Sequence, residues 1–158
     1  DISLADRNKH KLSLSSKNIK KYLYDKYAIK KFYNKFDYVI DTTGNKKVLN
    51  QALKFCKNNG IISLMGNIGS SVTFDKQSMN SILRKELKIL GVWNSNFKNF
   101  HQDDWIEVIK LMKKGLKPSD YISHIISLKS LPLYLKKLYL KKIKKNNFKY
   151  LKVLVNNG

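Results

Sequence analysis

Between Phe36 and Asn67 the sequence FDYVIDTTGNKKVLNQALKFCKNNGIISLMGN changes its hydrophobic period twice, and few folds accept that pattern. Tyr38, Val39 and Ile40 form a short apolar run that stops at the turn formers Asp41-Thr42-Thr43-Gly44, which predicts the end of a strand. Apolar residues then recur at Val48/Leu49, Ala52/Leu53 and Phe55/Cys56. This is the three-to-four spacing of a helix with one buried face, and Asn58-Asn59-Gly60 supplies its stop. Ile61, Ile62, Leu64 and Met65 make a second strand, too apolar to keep a side in water, closed by Gly66-Asn67. Two covered strands joined by a helix are expected to run parallel through a right-handed crossover. In such sheets ligands bind beyond the carboxyl ends of the strands, so Asp41 to Gly44 and Gly66 to Gly69 are expected on one edge.

The flanking sequence extends this into one α/β body without repeats or linkers. Asp1-Ile2-Ser3 reads as the end of a strand, Lys11 to Ser15 as a short strand, and Asn18 to Phe36 as a helix. That helix has Ile19, Tyr22/Leu23, Ile29 and Phe32/Tyr33 on its apolar face. Asp75 is placed to cap a helix running through Leu83. Leu87, Ile89, Leu90 and Val92 make the next strand. Tyr38 to Ile40, Ile61 to Met65 and Lys88 to Leu90 are therefore expected as parallel neighbours in that order. A loop from Ser95 to His101 leads to a helix capped by Asp103/Asp104, with Trp105, Val108/Ile109 and Met112 buried and Lys113-Lys114-Gly115 at its close. Tyr121 to Leu128 reads as a strand outside that sheet. Ser130-Leu131-Pro132 opens a helix with Leu131, Leu135, Leu138 and Tyr139 as its stripe. Tyr150 to Val155 is a last strand.

Composition narrows the function classes. A chain of 158 residues with 42% hydrophobic residues supports a real core. No apolar run approaches the length of a membrane span, so a membrane partner is not expected and a cytoplasmic location is. The single Cys56 excludes an internal disulfide and a multi-cysteine zinc site. The formal charge of +21 invites a nucleic-acid or anion-binding reading, but of 32 basic residues only Arg7 and Arg84 are arginine. Recognition of phosphates and bases relies on the bidentate arginine fork. The lysines are spread over every segment, densest from Lys136 to Lys145, which reads as a solvated coat with no specific nucleic-acid partner.

FDYVIDTTG, a helix, GIISLMGN, ILRKELKILGVW, ISHIISL and the closing YLKVLV, in this order and spacing, resemble the carboxyl half of a zinc-dependent medium-chain alcohol or polyol dehydrogenase. Leu83 to Trp93 is most similar to the sugar-alcohol phosphate branch. The resemblance covers Asn34 to Val155 well and the first thirty or so residues poorly. It implies a partial Rossmann-type parallel sheet with helices on both faces over residues 1–93. A carboxyl-terminal helix and strand segment over 94–158 would pack on a catalytic domain. It also implies NAD as cofactor and a polyol or polyol phosphate as substrate. A zinc ion is implied whose ligands lie outside this chain, as is a homo-oligomer formed through the strand after Leu87.

By the same resemblance, Asp1 corresponds to the acid that ends the second strand and bonds the adenosine ribose, favouring NAD over NADP. The alternative for Asp1 is a chance acid at a chain end. Thr42, Thr43 and Gly44 correspond to the loop beside the adenine. Gly66 and Asn67, with Gly91, Val92 and Trp93, correspond to the backbone that holds the nicotinamide. Lys152 corresponds to a base that reaches the pyrophosphate, or is a solvated strand lysine.

The departures are as informative. The glycine-rich turn that brings amides to the pyrophosphate is absent, as are the Cys, His and Glu zinc ligands. His10, His101 and His124 are too scattered to replace them. In this nucleotide fold the strands run 3-2-1-4-5-6, so the first strand belongs between the piece starting at Asp1 and the piece starting at Phe36. Two strand edges are expected to be unpaired there. The chain opens on Asp1 rather than Met, which reads as a fragment or processed product, inactive by itself. A methyltransferase-like nucleotide fold is the remaining alternative, although ILRKELKILGVW and YLKVLV are foreign to it.

Overall fold

The computed structural model describes residues 1–25, 28–95, 103–143 and 146–157, in two compact units that meet at Asn94/Ser95. In the first unit, β1 (Ser3–Asp6), α1 (Lys9–Ser13) and β2 (Lys20–Leu23) precede a 3-10 turn at Ala28–Phe32. β3 (Phe36–Asp41), α2 (Lys46–Phe55), β4 (Cys56–Leu64), α3 (Lys76–Arg84) and β5 (Lys88–Gly91) follow. β3, β4 and β5 form one parallel sheet in that order, with Val39, Ile62 and Ile89 in register. This is the arrangement the three apolar runs predict. β1 and β2 form a separate parallel pair.

Stepping from β3 to β4 to β5 in one direction, crossovers of one hand put both helices on one face. α2 and α3 accordingly pack together: Ser78 Oγ donates to the Asn50 carbonyl at 3.0 Å, and Lys54 pairs with Asp75 at 2.9 Å. The core between them and the sheet is Leu49, Ala52, Leu53, Cys56 and Ile62, with Val39, Leu64, Ile82 and Leu87 around it. Tyr38 and Ile40 point to the other face and are 48% and 55% exposed, so β3 is not covered on both sides as its apolar run implied. Cys56 is fully buried, and burial pushes its thiol up to about 11, the behaviour of a small hydrophobe.

Three local readings are corrected. Lys11 to Ser15 is not a strand: Asn8 accepts from the amides of His10 (2.9 Å) and Lys11 (3.3 Å) and starts α1. The helix expected over Asn18 to Phe36 is β2 followed by the 3-10 turn. Its apolar spacing serves instead to bring Tyr22 and Phe32 edge to face at 4.7 Å. Asn58-Asn59-Gly60 does not stop α2, which ends at Phe55, but bulges within β4 between the Phe36/Cys56 and Tyr38/Ile61 pairs. The free carbonyls at the end of α2 are met by Lys85, whose Nζ donates to Lys54 O (3.1 Å) and Cys56 O (2.9 Å).

Asp75 caps α3 as expected, accepting from the Ser78 amide at 2.7 Å. The hydrogen-bonded Lys54, and then the Ser78 contacts, hold its carboxyl down to about 2 from 3.8. Its contribution is therefore complete above pH 3.8 and lost as the pH falls through about 2. Asp75→Ala is expected to cost about 1 kcal/mol at neutral pH through the lost cap, while Asp75→Asn keeps the cap and loses the Lys54 ion pair and with it the acid dependence. The side chain is half exposed, so the charge part is the smaller one. Urea unfolding of the three proteins between pH 2 and 7 checks this.

In the second unit α4 (Asp104–Lys113) is capped by Asp103, which accepts from the Trp105 amide at 2.9 Å, and closes on Gly115 at φ +106°. The face expected to be buried is open instead, with Trp105 64% and Ile109 52% exposed and no α4 residue buried. β6 (Ile122–Ser127) pairs in parallel with β7 (Lys152–Asn156) in a sheet of its own. A 3-10 turn at Leu128–Ser130 runs directly into α5 (Leu131–Lys142), so Ser130 has helical geometry and its hydroxyl meets Ser127 rather than capping. Leu135 and Tyr139 face outward. Tyr134 takes the inner position instead, against His124 and Phe148. His101, most of the Ser95 to His101 loop, and Lys144 and Lys145 lie outside the described residues.

Candidate functional site

The carboxyl edge of β3 and β4 is built from two loops in backbone contact. Asp41, buried at the end of β3, accepts from the amide (2.8 Å) and hydroxyl (2.7 Å) of Thr43, folding Asp41 to Gly44 into a tight turn. The Asp41 carbonyl accepts from the amides of Met65 (2.9 Å) and Gly66 (3.1 Å), which ties the turn to the end of β4. Gly44 has φ +60°, and a Cβ there would lie 1.9 Å from the Asn67 carbonyl oxygen. A Cβ on Gly66 would lie 2.1 Å from the Gly44 nitrogen. Both positions require glycine because main chain lies against main chain.

Asn45 then caps α2 by accepting from Lys47 (3.0 Å) and Val48 (3.4 Å). The Val92 amide donates to Leu64 O at 2.9 Å, which brings Gly91, Val92 and Trp93 alongside. Space is open around Gly91, and Trp93 is 69% exposed. The cavity between the loops, lined by Asp41, Gly44, Leu49, Gly66 and Val72, holds only about 10 Å³. The edge is thus a surface to lie on rather than a pocket to enter.

Of the residues singled out from sequence, Thr42, Thr43, Gly44, Gly66, Asn67, Gly91, Val92 and Trp93 come together here. Asp1 does not. It precedes β1 rather than ending it, pairs with Lys20 at 2.6 Å, and lines a groove with Lys35 and Lys57 at the starts of β3 and β4. That is the amino-terminal edge of the strands, the wrong end for a ribose contact. The acid that ends β1 is Asp6, half-buried, its carboxylate accepting from the Asn8 amide at 2.8 Å. The signal for it was the Ile2-Ser3-Leu4-Ala5 stretch, mostly apolar, closed by the turn and cap cluster Asp6-Arg7-Asn8. Lys152 is the exposed first residue of β7, in the second unit.

Residues 1–114 match the sequence model of the family described as zinc-binding dehydrogenase. The chain belongs to that family. Solved structures agree on the fold. Galactitol-1-phosphate dehydrogenase from Escherichia coli superposes with a TM-score of 0.75 at 16% identity, over 88% of this chain and 43% of that one. The 2R,3R-butanediol dehydrogenase of Bacillus subtilis gives 0.75 at 18% identity, over 99% and 44%. L-idonate 5-dehydrogenase from Escherichia coli gives 0.71 at 18%, over 98% and 42%. The chain therefore spans less than half the length of these relatives. No curated protein sequence matches.

The family's zinc finds no home in these residues. Among the described residues no three of His, Cys, Asp and Glu lie close enough to hold a metal ion. Cys56 is shut in the core, and His124 is packed against Tyr134 and Phe148. Nor is any helix among the described residues long and apolar enough to cross a membrane.

Proposed function

We propose that this chain forms the nucleotide-binding part of an NAD-dependent dehydrogenase acting on a polyol or polyol phosphate such as galactitol 1-phosphate. The observation that carries the reading is the carboxyl edge of a parallel sheet where the Thr42 to Gly44, Gly66-Asn67 and Gly91 to Trp93 stretches meet, the place where this fold class binds dinucleotides. The residues fit such a cofactor in part. Asp6, in place of Asp1, would accept from the ribose hydroxyls. The open backbone at Gly91 and the exposed ring of Trp93 would take the nicotinamide end. When bound, the cofactor supplies a hydride acceptor for a secondary alcohol that becomes a ketone. This chain's own share is to orient it by main-chain amides and Asp6. We also propose a cytoplasmic protein, paired through the edge of β5, whose four residues are all exposed.

The test is an amide-shift titration of the 158-residue chain with millimolar NAD. Shifts are expected at Asp6 to Asn8, Thr42 to Asn45, Gly66-Asn67 and Gly91 to Trp93, and the first group should be lost in Asp6→Ala. Shifts confined to the lysines of α5 would move the reading to a general anion-binding surface. A stronger response to NADP would assign Arg7 to the 2′-phosphate.

A further inference from the structure

Both N–H groups of the Asn50 carboxamide on α2 are taken. Nδ2 donates to Lys46 O within the helix at 2.9 Å and to Thr73 O at 3.0 Å. Oδ1 accepts from the Asp75 amide at 3.0 Å. The main-chain carbonyl of the same residue accepts from Ser78 Oγ at 3.0 Å, and Ser78 is fully buried. One residue of α2 thus seats residues 73–78. These partners also fix which way the carboxamide faces. The Asp75 amide can only donate and the two carbonyls can only accept, so a carboxylate in its place would lack the donor.

Thr73 is the far end of the loop that begins at Gly66-Asn67. The near end is locked by main chain, since a Cβ on Gly44 would lie 1.9 Å from the Asn67 carbonyl oxygen. Gly44 directly precedes the cap of α2, and Asn50 lies about one and a half turns along it, so one helix holds both ends. Between the anchors Asn67 to Ser71 are exposed, a Cβ at Gly69 would meet nothing within 4 Å, and Val72 packs on the core. A stretch with so few contacts of its own takes its shape from its anchors.

From these observations we infer that Asn50 is a positioning residue, whose carboxamide holds residues 68–73 in one shape and so presents the Gly66-Asn67 backbone to the nicotinamide end of the cofactor. The inference rests on the cofactor reading and deepens it. Asn50 acts through the loop, and a loop ordered before binding spares the ligand the entropy of ordering it.

Asn50→Ala removes the three side-chain bonds and leaves the Gly44 and Gly66 lock and the Asp75 cap in place. In the 158-residue chain without ligand, backbone order parameters of Ile68 to Thr73 should fall from about 0.85 to below about 0.6, while α2 and β4 keep theirs. Asn50→Asp is the rescue. Ionised, it faces the Lys46 and Thr73 carbonyls without a donor, and protonated it regains one. Its loop should be loose near neutral pH and tighten as the pH falls through about 4, a range over which the wild-type loop should not change. The charged neighbours are Lys46 and Lys54 of α2 and Asp75, and Asp75 stays ionised there because its carboxyl is held down to about 2. With millimolar NAD, Asn50→Ala should shrink the amide shifts at Gly66-Asn67 about threefold or more and leave those at Asp6 to Asn8. Unchanged order in Asn50→Ala, a loose Asn50→Asp loop that acid does not restore, or equal shrinkage at both ends of the site would each overturn the inference. An absent NAD response in the wild type would overturn the cofactor reading alone, because the order of the loop is measured without ligand.

Discussion

Gly66→Ala is expected to destabilise the first unit by about 3 kcal/mol, a large effect for one methyl group. The added Cβ would sit 2.1 Å from the Gly44 nitrogen and 2.7 Å from the carbonyl carbons of Thr42 and Thr43. All three are main-chain atoms of a turn whose shape is set by Asp41, so none can swing aside as a long side chain would. Relief requires parting the two loops, which breaks the bonds from Met65 and Gly66 to the Asp41 carbonyl. Gly44→Ala should do at least as much harm, since its left-handed backbone adds a strain of about 1 kcal/mol. Gly69→Ala is the control: nothing lies within 4 Å of a Cβ there, and its change should stay within about 0.5 kcal/mol. Urea unfolding read through amide exchange in β3 and β4 separates the three. Equal losses at Gly66 and Gly69 would mean that the loops yield easily and that the edge is not a fixed platform.

NAD affinity of the 158-residue chain is expected to fall more than about a hundredfold below that of a complete enzyme, a loss of roughly 3 kcal/mol. The glycine-rich turn is missing from the sequence, and the described helices do not replace it. A helix N-terminus binds pyrophosphate through free amides of its first turn. In α2 two of these are taken by Asn45, in α1 two by Asn8, and in α3 one by Asp75. The remaining groups of the proposed site, a carboxylate at Asp6 and main chain at Gly66 and Gly91, would meet the ends of a dinucleotide but not its charged centre. Calorimetry should therefore find no saturation at micromolar NAD, and a micromolar dissociation constant would refute the account. Asn45→Gly would release amides at α2, and a gain in affinity there would show that capping is what closes this route.

The stretch from Phe36 to Leu90 was legible because its signals are local. Apolar runs bounded by turn formers defined β3, β4 and β5. The spacing of Leu49, Ala52 and Leu53 defined α2, and Asp75 and Asp103 announced their helices as caps. Parallel order then follows from chain connectivity, since strands joined through helices have one comfortable arrangement. Most of the candidate edge came with it, because turns at the carboxyl ends of such strands must be neighbours.

The region before Phe36 was not legible in the same way. Tyr22, Phe32 and Tyr33 satisfy helical spacing as well as they satisfy a strand and a 3-10 turn folded on one aromatic cluster, and only contacts distant in sequence choose between them. The same holds for Asp1 and Asp6: each is an acid near a short apolar run, and which one ends the strand depends on the pairing of Ser3 with Lys20. Exposure was a tertiary decision too. Apolar residues on β3 and α4 identify faces that can be buried, but crossovers of one hand place α2 and α3 on a single side of the sheet. Local sequence determined the elements and the turns at their ends, whose energies are set within a few residues. Tertiary packing decided which faces are covered, which acid ends β1, and that Gly44 and Gly66 must interlock.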